Sequence, residues 1–277
     1  MLLKEKIRES LDFLKSKISD PPKIAIVLGS GMGDFIDAIE NPIVIPASDI
    51  PHYPVSTVPG HKGRWIIGDI NGVRTLCLQG RVHYYEGYSL QAVTYYVHLL
   101  AGLGVNKLIL TTACGGLNAE FNPGDLMLIT DQLNFSFNNP LIGTPQDQLG
   151  PRFPDMSNPF DDDLLALAER TGEEIGIPLR KGVFCWVAGP NYETAAETKM
   201  LRALGGDAVS MSTAPEVIVA RQRHLPVLGI SLITNMATGL AHGPLTHAEV
   251  TRIAAQAGQK MTALLRRIVQ NMPETIK

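Results

Sequence analysis

A chain of 277 residues, 45% hydrophobic and 18% charged, has material for a sizeable core in one large α/β domain or two smaller ones. A net charge of −3, with no basic run longer than Arg266-Arg267, excludes a nucleic-acid surface, and no apolar run reaches the length of a membrane span. Three widely spaced cysteines (Cys77, Cys114, Cys185), with no C-x-x-C or H-E-x-x-H pattern, point to a reducing cytoplasm and away from a disulfide frame or a metal site.

The first residues alternate charge with apolar side chains and lack the apolar core of a signal peptide. Leu3, Ile7, Leu11, Leu14 and Ile18 fall on one helical face, and Pro21-Pro22 stops that helix. Lys23–Leu28 is apolar after its opening lysine and reads as a strand covered on both faces. It breaks into Gly29-Ser30-Gly31-Met32-Gly33, and Asp34–Glu40 has the polarity of a helix start. Glycines there let an anion approach main-chain N–H groups closely. A dinucleotide fingerprint is set aside, because its third glycine position holds Asp34, and no P-loop motif occurs in the chain. A small anion such as free phosphate, or simply a tight turn, remains.

Ile43–Ile45 is a short strand, followed by a loop punctuated by Pro46, Pro51, Pro54 and Pro59 and ending in Gly60-His61-Lys62-Gly63. Trp65–Ile70 and Val73–Gln79 form a hairpin across Asn71-Gly72. Ser89 caps a helix on which Leu90, Val93, Val97 and Leu100 repeat. Lys107–Thr112 is a buried strand ending in Ala113-Cys114-Gly115-Gly116, and Leu126–Thr130 is another. Residues 132–160 form a long polar loop of the size that is usually functional. Asp161–Asp163 cap the next helix rather than bind metal. Val183–Val187 leads to Tyr192-Glu193 and the capping box Thr194-x-x-Glu197. Val209–Ser212 precedes a helix from about Pro215, and Val227–Thr234 ends at Asn235. A second box, Thr246-x-x-Glu249, opens a helix running to about Gln270.

Residues 1–277 thus read as one α/β domain with a mixed central sheet and helices on both faces. Five strands end in polar clusters: Ser30, Arg81-x-His83, Ala113–Gly116, Tyr192-Glu193 and Asn235. Ligands of open α/β sheets bind outside the carboxyl ends of strands, so the five are expected to converge. Singly, each has an ordinary alternative: a surface ion pair for Arg81, a core imidazole for His83, a helix-start carboxylate for Glu193.

The runs GSGMG, VPGH, GRVHYYEGY, AGPNYET, SMSTAPEV and SLITN, in order over nearly the whole chain, resemble the trimeric purine nucleoside phosphorylases. The resemblance implies a curled mixed sheet in a single domain, assembled as a homotrimer. It implies reversible phosphorolysis of a purine nucleoside to free base and α-ribose 1-phosphate, with phosphate as co-substrate and no metal or organic cofactor. By resemblance, Ser30, Arg81, His83, the backbone N–H of Ala113, and Ser212 cradle phosphate, and His61 closes over it. The planar fork of Arg81 suits two phosphate oxygens at once. Asn235 matches the donor to the purine, Glu193 the acceptor from N1–H, and Tyr192 an aromatic that packs on the base. His83, Glu193 and Asn235 would be the catalytic set. Tyr85, His83 and His247 would read the ribose over Met211, and Phe153 matches an aromatic lent by the neighbouring subunit.

An amide at 235 donates to O6 where a carboxylate cannot, which favours inosine and guanosine over adenosine. A 5′-methylthioadenosine phosphorylase, the alternative within the same fold, would want an acid at 235 and an apolar group at 247. A metal-dependent nucleoside hydrolase would want more aspartates near the first strand than Asp34 and Asp37. Thr112, Cys114, Tyr192 and Ser210 depart from the family's common Asn, Ala, Phe and Gly.

Overall fold

The computed structural model describes residues 2–58, 60–143, 147–240 and 247–272, leaving out the side chains of 147, 247–252 and 254–256. Its strands are β1 (Ile24–Leu28), β2 (Glu40–Pro46), β3 (Arg64–Ile70), β4 (Val73–Gln79), β5 (Lys107–Gly116), β6 (Leu126–Asn134), β7 (Leu179–Trp186), β8 (Ala208–Ser210) and β9 (Val227–Met236). Its helices are α1 (Leu3–Lys17), α2 (Leu90–Val93), α3 (Tyr95–Leu103), α4 (Asp162–Glu174), α5 (Ala195–Ala203), α6 (Ala214–Gln222) and α7 (His247–Asn271).

The strands join in the order β2-β3-β4-β1-β5-β8-β7-β6-β9, and β9 pairs back onto β5. The second half of the sheet therefore closes into a five-stranded ring, while the first half stays open as a wing. Closure removes the free edges that strands of this apolar character would otherwise present. β1 is parallel to both neighbours, β3–β4 and β6–β9 are antiparallel, and β5–β9 is parallel, so the sheet is mixed and curled.

Strand alternation sorts the core onto two faces. Ala25 and Val27 of β1 join Ile7, Leu14, Val97, Leu100 and Val217, from α1, α3 and α6. Ile24, Ile26 and Leu28 join Leu164, Ala168, Leu264, Leu265 and Ile268, from α4 and α7. Helices thus cover both faces, as the near-continuous apolar runs require. None among the described residues is long and apolar enough to cross a membrane. All three cysteines are free and buried.

Local chemistry explains several boundaries. The hairpin turns on Asn71 (φ 49°) and Gly72 (φ 80°), the left-handed pair that a two-residue loop needs. Ser89, Asp161 and Thr194 accept from the backbone N–H of Ala92, Leu164 and Glu197, and Glu197 answers at Thr194 N at 2.8 Å. Thr246 of the second expected capping box lies outside the described residues, as do Pro59 and the side chain of Glu249.

Three expectations are corrected. The segment after the glycines is a 3-10 helix, Gly33–Ala38, with Phe35 buried against the core. The expected helix from Leu90 breaks at Thr94 (φ −94°, ψ 4°), whose hydroxyl back-bonds to Leu90 O at 2.8 Å. β5 does not stop at Thr112 but runs through Gly115-Gly116, because β8 pairs with those glycines on one edge and β9 on the other.

Candidate functional site

β5 is the element about which the site is built. Its first half pairs with β1, its end pairs with β8, and between them the edge opens. At that opening Thr111 takes over from the ladder: its hydroxyl donates to Val27 O and accepts from Gly29 N–H, each at 3.0 Å. This ties the glycine turn carrying Ser30 to β5. A Cβ on Gly29 would stand 2.7 Å from Thr111 O, so the close approach itself requires glycine. Thr111→Val is expected to leave two buried backbone groups unpaired and to lower stability by about 1–3 kcal/mol, read from the urea denaturation midpoint.

Opposite, the segment after β8 makes a γ-turn at Thr213 (φ 76°, ψ −56°), closed by Ala214 N–H donating to Ser212 O at 2.9 Å. A β-branched residue in that conformation is strained, and the strain sits beside the cavity. It sets the buried Ser212 hydroxyl 2.7 Å from a terminal nitrogen of Arg81 and 3.1 Å from the Thr112 hydroxyl. That same Arg81 nitrogen donates to Thr111 O at 3.1 Å, while the other terminal nitrogen stands 3.3 Å from a carboxylate oxygen of Glu216. The guanidinium is therefore fixed by the protein, and among the described residues Nε keeps a hydrogen without a partner.

The histidines are held from behind. Glu86 accepts from His83 Nδ1 at 3.0 Å and His83 N–H at 2.7 Å, and from Thr57 N–H and the Ser56 and Thr57 hydroxyls. Because a carboxylate only accepts, Nδ1 carries hydrogen and Nε2 is the ring atom left for the cavity. Burial pushes the Glu86 carboxyl up, but the hydrogen bonds from His83 and Thr57 together outweigh it and pull it down to about 2. The His83 ring stacks on Tyr85, centroids 4.8 Å apart. His61 reaches Ser30 Oγ at 3.1 Å through Nε2 and Arg81 O at 2.8 Å through Nδ1.

Burial pulls the imidazole of His61 down to about 4, and burial followed by the Arg223 charge pulls that of His98 down to about 3. Both are thus neutral in the folded protein at pH values where a free imidazole, near 6.5, is half protonated. The unfolded chain then binds more protons, so stability is lost as pH falls through that value toward the folded ones. The thermal midpoint should drop between about pH 7 and pH 4.5, and His98→Gln should flatten the drop.

At its far end β9 carries a bulge: Cys114 pairs with Ile233 but Gly115 with Asn235. The skipped Thr234 donates to Cys114 O at 3.2 Å and to Asn235 Oδ1 at 2.8 Å. Such a bulge re-aims the following side chain. Asn235 Nδ2 donates to Met236 O at 3.1 Å, and since a carbonyl only accepts, this fixes which way the amide faces. Burial raises the Glu193 carboxyl, with Glu197 adding to the shift and a backbone hydrogen bond opposing it. Tyr192 is raised as well, by burial and then by Glu193.

These groups line one cavity of about 380 Å³: Ser30, Arg81, His83, Tyr85, Ala113, Tyr192, Glu193, Met211, Ser212 and Asn235 are all on its wall. The five strand-end clusters meet there. Two expected residues stand apart, and a third is not described. His61 is one layer back, against Ser30. The His247 side chain lies outside the described residues, although its backbone opens α7. Phe153 is 88% exposed and borders a separate groove with Arg152 over its ring. Thr111 and Glu216 gave no warning in the sequence, since each sits among apolar neighbours as a strand or helix residue would. Their signal is tertiary.

The phosphorylase superfamily model matches residues 23–270. Purine nucleoside phosphorylase 1 of Bacillus subtilis (strain 168) is 48% identical over 267 residues, which cover 96% of this chain and 98% of that protein. The crystal structure of Schistosoma mansoni purine nucleoside phosphorylase with adenosine superposes with a TM-score of 0.93 at 35% identity, covering 98% of each chain. A schistosoma purine nucleoside phosphorylase structure with hypoxanthine gives the same figures.

Proposed function

This chain belongs to the phosphorylase superfamily and, within it, to the purine nucleoside phosphorylases, which are pentosyltransferases, and on that premise we propose what each part of its cavity does. The substrates are 6-oxopurine nucleosides and inorganic phosphate, and residues 1–277 act as one phosphorylase domain. The observation that carries the reading is the sharing of one cavity by Ser30, Arg81, His83 and Ser212 with Tyr192, Glu193 and Asn235.

Phosphate lies against Arg81 Nε, the Ser30 and Ser212 hydroxyls, His83 and the Ala113 N–H. The expected two-pronged grip of Arg81 is modified here, because one terminal nitrogen is already bonded to Ser212 and Thr111. An incoming oxyanion takes Nε and shares that nitrogen with Ser212. His61, neutral above its lowered value, contributes a hydrogen bond rather than charge. The ribose rests on Met211, between His83 and Tyr85. As the bond from sugar C1′ to the purine lengthens, the bound oxyanion stabilises the cationic sugar from beneath and then bonds to C1′. The electron pair of the broken bond passes into the purine, where Asn235 Nδ2 donates to the developing charge. Glu193 accepts from N1–H, and Tyr192 covers the ring.

Phe153 is too exposed to serve this cavity from its own chain, and we assign it to the site of a neighbouring copy in a homotrimer. The free, buried cysteines fit a cytoplasmic enzyme. The test is release of free base from inosine, guanosine, adenosine and methylthioadenosine, with and without phosphate, alongside the mass in solution. Phosphate-dependent cleavage of inosine and guanosine by a particle of three chains is the expected result. Faster cleavage of methylthioadenosine, or cleavage indifferent to phosphate, overturns the assignment.

A further inference from the structure

Arg81 and Glu216 are both buried, 4% and 0% exposed, and the carboxylate arrives from the first turn of α6 on the side of the guanidinium opposite Ser212. Neither oxygen of Glu216 makes a hydrogen bond among the described residues, and Tyr96, buried on α3, lies within reach of both charges of the pair. At 3.3 Å the contact is one of charge more than of hydrogen-bond geometry. A buried carboxylate with one cation and unspent acceptors is a costly arrangement if its purpose is only to hold a side chain in place, since Ser212 and Thr111 already do that.

We propose that Glu216 is the counter-ion that tempers the phosphate cradle, neutralising Arg81 when the cavity is empty and weakening its hold on phosphate when it is full. The inference rests on the reading of Arg81 as a phosphate ligand. In the empty protein the carboxylate removes the penalty of an isolated buried guanidinium. In the loaded protein it repels the oxyanion across Arg81, so the anion and the sugar phosphate formed from it leave. Glu216 touches neither substrate and acts only through Arg81.

The sign of the effect separates this role from a structural one. Glu216→Gln keeps the shape and an oxygen facing Arg81 but removes the charge. Losing a unit charge on the far side of Arg81 is expected to tighten phosphate binding by on the order of tenfold. A positioning brace, once damaged, would loosen it. The measurement is calorimetric titration of the folded protein with inorganic phosphate, with KM for inosine followed in parallel and expected to hold within about twofold. Glu216→Asp, which keeps the charge and withdraws it by one methylene, should shift phosphate binding the same way by less, and serves if the glutamine variant folds poorly. Phosphate binding that is unchanged or weaker in the folded variants overturns the inference. Failure of the parent protein to bind phosphate at all would instead remove the phosphate site itself.

Discussion

Arg81→Ala should cut phosphorolysis by roughly 10²-fold or more, with most of the loss appearing as a higher phosphate requirement. Among the described residues on the cavity wall, Arg81 is the one guanidinium or ammonium, and the His61 behind it is held neutral. A hundredfold loss corresponds to about 2.7 kcal/mol, within what one or two charge-assisted hydrogen bonds to an oxyanion supply. The same substitution strands the Glu216 carboxylate in the core, which should lower stability by roughly 3–5 kcal/mol. The two consequences can be separated. Arg81→Ala combined with Glu216→Gln should recover much of the stability while activity stays low. Steady-state kinetics in varied phosphate together with thermal melts read both, and activity that returns with stability would show Arg81 to be a structural residue.

Asn235→Asp should reverse the preference between 6-oxo and 6-amino purines. In the parent the amide nitrogen has one hydrogen on Met236 O and a second to offer the base. A carboxylate offers acceptors only, so the oxygen at C6 loses its donor and meets a like charge, whereas an amino group there gains a partner. Inosine kcat/KM should fall by roughly 10²–10³-fold, the size of effect seen when a donor to developing charge is removed, and adenosine should lose far less. An inosine-to-adenosine ratio that does not move refutes the assignment. The outcome also bears on the methylthioadenosine alternative, which in this sequence is opposed chiefly by the residue at 235.

Elements whose signal is local could be read from the sequence. The hairpin across Asn71-Gly72 falls on the expected residues because the turn chemistry names its own position. The caps at Ser89, Asp161 and Thr194 likewise depend on atoms within a few residues. Strand ends brought the cavity wall into view, since Ser30, Arg81, Ala113, Glu193 and Asn235 each follow an apolar run. What could not be read depends on distant partners. Gly115-Gly116 looks like the end of a strand until β8 and β9 are seen to clasp it. The bulge before Asn235 shows only in the pairing of β9 with β5, where Thr234 is skipped. Glu216, at a helix start, has the appearance of a carboxylate placed for the dipole, and only the fold reveals that it is buried against Arg81. Phe153 is the reverse case, an aromatic the sequence associates with the site and the single chain leaves in solvent.

The most direct test is a crystal grown with phosphate and hypoxanthine together. Phosphate should be found on Arg81 Nε and the Ser30 and Ser212 hydroxyls, with hypoxanthine on Asn235 and Glu193 in the same cavity and room for one sugar between them. Phosphate bound elsewhere, or a base that does not touch Asn235, would contradict it.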